Sequence, residues 1–400
     1  MSTINVKAFF RFCKVKVIKQ VVDTAKRVVK IEVRPDRRYS PVCHKCKEKA
    51  NKIHSWNQRV VRDLNIFDAK SFIRVTYRTI QCPGCGNVIE DLGLMDPYMR
   101  VTRRLANYII GLCKVMSIKE VACHLDLNWK TVKEIHKKYL KDKFEKEHIG
   151  NPRFLAIDEI SIKKGHKYLT VIVNWENGKV LWIGEGRGYE SVKVFFKSLT
   201  QDQIESIEAI VMDMWDPYIK AVKEYCPKAL IVFDQFHIIS AFNRVIDRVR
   251  NDEYRRATKE GKEVLKGSKY LLLKNRENLH RKEKQRLEEI LRVNKAITSV
   301  YVLKDYLKKL YQYRYPKSAQ RMLRFWYHLA MESGLKPVMA FAKTLARYAY
   351  GIINHCRFPL HTSILEGINN KIKLIKRRAY GFHDLEYFSL IIKDAFSNTN

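Results

Sequence analysis

The sequence predicts a multi-domain α+β protein: a small β-rich N-terminal module, a group of short helices, then a mixed α/β core interrupted by an all-α insertion. Three observations lead there. Four hundred residues exceed one simple domain, and 46% hydrophobic content is enough to bury several cores. The apolar period is two near the N-terminus, lengthens to helical spacing, and then alternates between the two. Two Cys-x-x-Cys pairs bracket part of the first strand-rich stretch.

Residues 1–95 alternate apolar and polar positions in VVKIEV and FIRVTYRTI, the period of half-buried strands. Cys43-His44-Lys45-Cys46 and Cys82-Pro83-Gly84-Cys85 form two thiol knuckles with 35 residues (47–81) between them. Two such turns can present four soft ligands to one point, the tetrahedral set that Zn²⁺ takes, and a ribbon this small folds poorly without its ion. One structural Zn²⁺ on Cys43, Cys46, Cys82 and Cys85 is therefore expected, with His44 or His54 as weaker substitutes for a thiol. Nine cysteines is an odd number, and four of them in two Cys-x-x-Cys pairs, in a chain without a visible export signal, favour metal over a disulfide framework. Cys13, Cys113, Cys123, Cys226 and Cys356 sit among apolar neighbours and read as core residues.

Residues 96–150 carry three helical stretches, RRLANYIIGLCKVM, SIKEVACHL and KTVKEIHKKYL. Ile118, Val121, Ala122 and Leu125 mark one apolar face, Val132, Ile135 and Tyr139 the next, and Asn128 is a candidate cap between them. The pattern is that of a helix-turn-helix. Lys130, Lys133 and Lys137 would then project toward DNA phosphates or a major groove; an ordinary helical pair with solvated lysines is the plainer alternative.

Residues 151–250 read as strands at 154–160, 168–175 and 179–184, the last two joined by Asn177-Gly178, a hairpin signal. A helix at 189–199, a strand at 207–213, a helix at 217–225, a strand at 229–234 and a helix at 236–250 follow. The order βββαβαβα describes a mixed sheet covered by helices. Residues 251–350 read as an almost wholly helical insertion with breaks near Gly261, Pro316 and Gly334–Pro337. Residues 351–400 return to the core, and Thr362–Arg378 forms its final helical stretch, with Glu366 the lone carboxylate among amides and cations.

Asp158 and Asp213 each follow an apolar run, Phe154–Ile157 and Ile207–Met212, that reads as a buried strand. Mg²⁺ and Mn²⁺ prefer carboxylate oxygens, and two such ions about 4 Å apart can activate a hydroxyl and stabilise a leaving oxygen of a phosphodiester. Asp158 on the first strand and Asp213 at the end of the fourth lie on neighbours in a fold of this order. Glu366 would arrive from the last helix, held by Ile364, Leu365, Ile368, Ile372 and Ile375, with Asn370, Lys373 and Arg377 extending its polar face along DNA. Taken singly, each acid has a bland reading as a cap or a solvated charge. Glu159 should face the opposite side of the sheet, Asp216 reads as a helix cap, and Asp234 and His237 support the site from behind. Trp326 is a candidate base-stacking residue, though a Trp on an apolar helix face is more often core.

Lys and Arg outnumber Asp and Glu by 77 to 42, a net charge of +35. An excess of that size calls for a polyanion partner, here double-stranded DNA. No apolar run reaches membrane-spanning length and no export signal is visible, so a cytoplasmic, nucleoid-associated chain is expected.

The stretches CHKC and CPGC, AIDEISIKKGHKYLTVIV, VMDMWDPYIKA, VFDQFHI and LEGINNKIKLIKRRAYGF together resemble the ISL-three group of bacterial insertion-sequence transposases, over nearly the whole length. The resemblance implies a ribonuclease-H-like core with a helical insertion, two Mg²⁺ or Mn²⁺ on the triad Asp158, Asp213 and Glu366, and a D-x-x-H signature at Asp234 and His237. It implies cleavage and joining of transposon ends by a homodimer or larger assembly. One departure is visible: the polar pair before the Glu, often Ser-Asn in that group, is His361-Thr362 here. A catalytically silent DNA-binding regulator and a structure-selective nuclease are the competing readings.

Overall fold

The computed structural model describes residues 14–145, 147–163, 167–361, 363–379 and 382–397; Cys13 and Thr362 lie outside them. It divides into two compact units, Met1–Glu145 and Lys146–Asn400.

The first unit begins with strands β1 (Val15–Asp23), β2 (Val28–Pro35), β3 (Lys52–Ile66), β4 (Ala69–Cys82) and β5 (Gly86–Ile89). They pair in the order β1-β2-β4-β3, and β5 adds to the end of β4. The alternation in VVKIEV and FIRVTYRTI puts Val29, Ile31, Val33, Ile73, Val75 and Tyr77 on one buried face. Helices α1 (Arg103–Cys113), α2 (Ile118–Leu125) and α3 (Trp129–Glu145) follow. Ser117 and Glu120 form a capping box at the start of α2, and the Asn128 side chain accepts from the Lys130 N–H at 2.9 Å at the start of α3. Helices and sheet are tied together by the fully buried Asp63, which accepts from Thr102 Oγ1 at 2.6 Å and pairs with Arg104. Replacing Asp63 would strand that cation beside a buried gap.

The second unit holds β6 (Phe154–Lys163), β7 (Lys167–Asn174), β8 (Val180–Glu185), α4 (Tyr189–Lys197), α5 (Gln201–Ser206), β9 (Ala209–Met212), α6 (Asp216–Tyr225), β10 (Leu230–Phe233) and α7 (Gln235–Arg256). The short α5 is absent from the expected order; the Thr200/Gln203 capping box that starts it was its only signal. The sheet runs β10-β9-β6-β7-β8. β6, β7 and β8 are antiparallel, whereas β9 is parallel to β6 and β10 is parallel to β9. Gly178 takes φ +69 in the β7–β8 turn, as its place after Asn177 suggests.

A helical block follows: α8 (Lys259–Leu265), α9 (Lys269–Leu273), α10 (Arg281–Val293), α11 (Lys295–Leu310), α12 (Pro316–Glu332), α13 (Lys336–Arg347) and α14 (Ala349–Ile353). Pro316 starts α12 and Pro337 sits in the first turn of α13 as expected, but Gly261 lies inside α8 and the break falls instead at Ala257–Thr258. Trp326 is fully buried and donates its indole N–H to Leu303 O at 2.8 Å, so it is core and presents no stacking face. The chain closes with α15 (Ser363–Arg378) and α16 (Leu385–Ala395).

Alternation along β6 divides the core. Leu155 and Ile157 join the cluster with α4, α6, α7 and the helical block, while Ala156 and Ile160 join the cluster with Leu365, Ile368 and Ile372 of α15 and Phe388 and Ile392 of α16. Asp158 shares the second face. The strand period thus points this acid at α15.

Candidate functional site

Asp158 is held rigidly at both oxygens. Its Oδ1 accepts the Glu159 backbone N–H at 2.7 Å, and its Oδ2 accepts from Asn369 Nδ2 at 2.7 Å, across 211 positions of sequence. Parallel pairing of Phe154, Leu155 and Ala156 with Ala209, Ile210 and Val211 brings the end of β9 alongside, where Asp213 emerges. Asp234 ends β10 as the cap of α7: it is buried, and its carboxylate accepts the His237 backbone N–H at 3.4 Å. One turn into that helix the His237 ring meets Asp213, Nδ1 to Oδ2 at 2.6 Å.

Candidate ligand atoms of Asp158, Asp213 and His237 lie within 4.8 Å of one another. The imidazole expected behind the site is thus a member of the group. Glu366 is not part of it; it is exposed on α15, one turn before Asn369. Asn370, Lys373 and Arg377 are exposed on the same helix. Asn369 was not singled out from the sequence, although its position three residues after Glu366 was a usable signal. Its Oδ1 is buried with no hydrogen-bond partner, an acceptor available beside the carboxylates. Ser363 opens α15 with its hydroxyl 2.5 Å from His361 Nδ1.

The electrostatics fit clustered acids. Burial and the charge of Asp213 raise the Asp158 carboxyl to about 6, against the lowering effect of the Glu159 N–H, His237 and Asn369. For His237, burial alone would lower the value, but the hydrogen bond to Asp213 and the charges of Asp213, Asp158 and Asp234 carry it to about 9. A protonated imidazole therefore offsets two carboxylates here. Glu159 is raised by burial and by the same two acids, and its carboxylate faces Arg187 at 3.8 Å. The Arg187 guanidinium is stacked between Tyr168 at 4.4 Å and Trp215 at 5.1 Å. Asp216 does not cap α6; Trp215 occupies the cap position, and Asp216 accepts from the Tyr348 hydroxyl at 2.8 Å.

In the first unit, Sγ atoms of Cys43, Cys46, Cys82 and Cys85 also lie within 4.8 Å of one another, a set able to hold one metal ion. The Lys45 N–H points at Cys43 Sγ at 3.4 Å, the amide-to-sulfur contact that steadies a thiolate. His44 is turned away, its Nδ1 2.8 Å from Ile89 O. Of the cysteines expected in the core, Cys226 is buried, Cys113 and Cys356 are half-buried, and Cys123 is exposed. On α3, Lys130 is exposed beside an exposed Trp129, whereas Lys133 and Lys137 are half-buried and engaged in contacts of their own. No described helix is long and apolar enough to cross a membrane.

Residues 155–392 match a family described as "Transposase", and residues 90–140 match the "Helix-turn-helix domain of transposase family ISL3". The chain is 39% identical over 374 residues to the transposase for insertion sequence element IS1001 of Bordetella parapertussis, covering 92% of each protein. It is 25% identical over 379 residues to the transposase for insertion sequence element IS1557 of Mycobacterium tuberculosis, covering 88% of this chain and 84% of that one.

Proposed function

The chain belongs to transposase family ISL3 as a DDE-type DNA transposase, and from that premise we propose how its residues divide the work. Asp158 and Asp213 hold the divalent ions, Mg²⁺ or Mn²⁺, and Glu366 completes the set from α15. The observation that carries this is the meeting of β6, β9, α7 and α15 at one point: Asp158, Asp213 and His237 grouped within 4.8 Å, with Asn369 of the Glu366 helix bonded to Asp158. The strand order β8-β7-β6-β9-β10, with the first three antiparallel and the last two parallel to β6, is compatible with the ribonuclease-H-like core that the resemblance implies and supports the same reading.

Two Mg²⁺ ions bound there would activate the attacking hydroxyl and stabilise the leaving oxygen of a phosphodiester. The protein's part is positioning. Glu159 N–H and Asn369 fix which Asp158 oxygens face the site, and His237, oriented by Asp234, fixes Asp213 and offsets charge until ions arrive. Asn370, Lys373 and Arg377 neutralise phosphates along the strand being cut. Water first cleaves the phosphodiester at the element's end; the freed 3′-hydroxyl then attacks target DNA in line.

The first unit serves recognition. One Zn²⁺ on Cys43, Cys46, Cys82 and Cys85 sets the ribbon, a donor set and spacing suited to that ion. The helix-turn-helix, through Lys130 with Lys133 and Lys137, contacts the terminal inverted repeats. In this reading residues 1–95 and 96–150 bind ends, 151–250 and 351–400 form the catalytic core, and 251–350 is its insertion. Pairing of two ends calls for a dimer or larger assembly, at the nucleoid in the cytoplasm.

The test is incubation of the protein with end-bearing duplex DNA and Mg²⁺, comparing parent and Asp213→Ala. Binding should survive, and both nicking and joining should vanish. Equal activity in the variant removes Asp213 from the mechanism, while cleavage without joining by the parent would make the protein a nuclease.

A further inference from the structure

Several arginines of the first unit have an acidic partner. Arg38 pairs with Asp36, Arg74 with Glu32, Arg78 with Glu90, and Arg103 with Asp91 and Asp96. Arg59 and Arg100 do not; neither has a carboxylate partner among the described residues. Arg59 Nη1 is moreover buried without any hydrogen-bond partner, an uncommon state for a guanidinium nitrogen. These two arginines face the same place. With Val60 and Tyr98 they line a pocket of about 420 Å³.

The fold builds that pocket from a strand edge. β3 pairs with β4 on one side, and its other edge receives the chain leading to α1: the Arg62 N–H donates to Arg100 O at 2.8 Å and the Thr102 N–H donates to Arg62 O at 3.0 Å. This pairing fixes Arg100 beside Arg59 and Val60. Arg59 lies against the Tyr77 ring at 5.6 Å, which limits its freedom and preorganises the head group. Tyr98 sits at φ +64, where a bulky side chain is strained, and its ring is 76% exposed. Packing does not account for that ring.

We propose that this pocket is a nucleic-acid backbone site, in which Arg59 and Arg100 clamp one phosphate of a duplex and Tyr98 and Val60 pack against the adjoining sugar. A phosphate in the pocket would lie between the Arg59 and Arg100 head groups, and guanidinium forks match its oxygens in pairs. The site uses none of the helix-turn-helix lysines and none of the carboxylates. It rests on the reading of the chain as a DNA-binding transposase, and it adds a sequence-independent contact that sets register before base edges are read.

The experiment uses the full chain, loaded with zinc, and a fluorescein-labelled random-sequence duplex, with anisotropy followed through a salt series from roughly 50 to 200 mM, the range in which phosphate contacts are strongly weakened. Arg100→Ala, an exposed substitution, should reduce the slope of log affinity against log salt by about one unit. Arg100→Lys should keep the slope, and Tyr98→Ala should weaken binding without changing it. Zinc content and circular dichroism identify any variant that fails to fold, and Arg59→Lys provides a second probe of the same clamp. Parent-like slope and affinity in Arg100→Ala would overturn the proposal. Nicking of end DNA, measured on the same preparations, reports on the transposase reading: parent that binds and nicks while Arg100→Ala matches it sinks the pocket alone, and parent that neither binds nor nicks sinks both.

Discussion

The molecule gathers candidate metal-binding side chains at two places by opposite routes. The four thiols come from two turns of one small sheet, each Cys-x-x-Cys delivering a pair, so a few backbone bonds near residues 43–48 and 82–86 set the group. The carboxylate site takes Asp158 from the middle of a strand, Asp213 from the end of another, His237 from the first turn of a helix, and Asn369 from a helix 211 positions from Asp158. The first group is all soft sulfur, partly buried, and able to close around one ion. The second mixes oxygen and nitrogen, is partly buried, and lies beside α15, on which Lys373 and Arg377 are exposed. Local assembly suits a centre that holds a fold together. Assembly from distant elements makes the chemistry depend on the whole core.

If that contrast is right, stripping metal should have unlike effects at the two places, and the largest is at the thiols. Structural Zn²⁺ in small modules is worth roughly 10–16 kcal/mol of folding free energy at neutral pH. Cys82→Ser, or a strong chelator, should therefore unfold the first unit and abolish DNA binding, while the helical signal of the second unit persists in circular dichroism. A single cooperative loss of both units would contradict the division. At the carboxylates, Asp213→Ala should leave folding and DNA binding intact but slow strand nicking by at least about a thousandfold, since metal stabilisation of transition-state charge is worth several kcal/mol.

Asn369 offers a finer cut. It touches Asp158 directly and leaves its own carbonyl oxygen buried without a partner. Groups that orient metal-binding carboxylates typically change affinity or activity by about 10–100-fold when removed. Asn369→Ala should weaken Mn²⁺ binding by calorimetry within that range and leave DNA affinity alone. Unchanged Mn²⁺ affinity would make the Asn369 contact a packing detail.

The same contrast decides what could be seen in the sequence. The thiol knuckles were legible because their geometry is written within four residues each. The strands that carry Asp158 and Asp213 were legible because their apolar runs are continuous, and β6, β7, β9 and β10 fall within a few residues of expectation. Side-chain direction was harder. Lys133 and Lys137 lie on the expected helix but are half-buried and engaged in contacts of their own. His237 reads as a cap neighbour until the sheet register brings Asp213 within 2.6 Å of it. Helical spacing puts Asn369 beside Glu366, but its bond to Asp158 cannot be read without knowing which strand face α15 covers, and that follows from tertiary packing of Leu365, Ile368 and Ile372 against Ala156 and Ile160.

The smallest effect to look for is the part of the metal-free protein's pH dependence that Asp158 and His237 contribute. Asp158 titrates at about 6 in the folded chain against its ordinary 3.8, so the folded state holds the extra proton and stability falls as pH rises between those values. His237 titrates at about 9 against 6.5, so the stability its pairing with Asp213 provides is complete below about 6.5 and is lost as pH climbs through 9. The two windows are separate, which makes them assignable: Asp158→Asn should flatten the lower one and His237→Gln the upper one in melting temperatures recorded without divalent metal. His237 is more than a third exposed, so its contribution is screened and the upper step should be the shallower. Identical melting profiles for parent and both variants would mean that the carboxylates and imidazole are not coupled in solution, and the case for a preassembled ion site would fall with them.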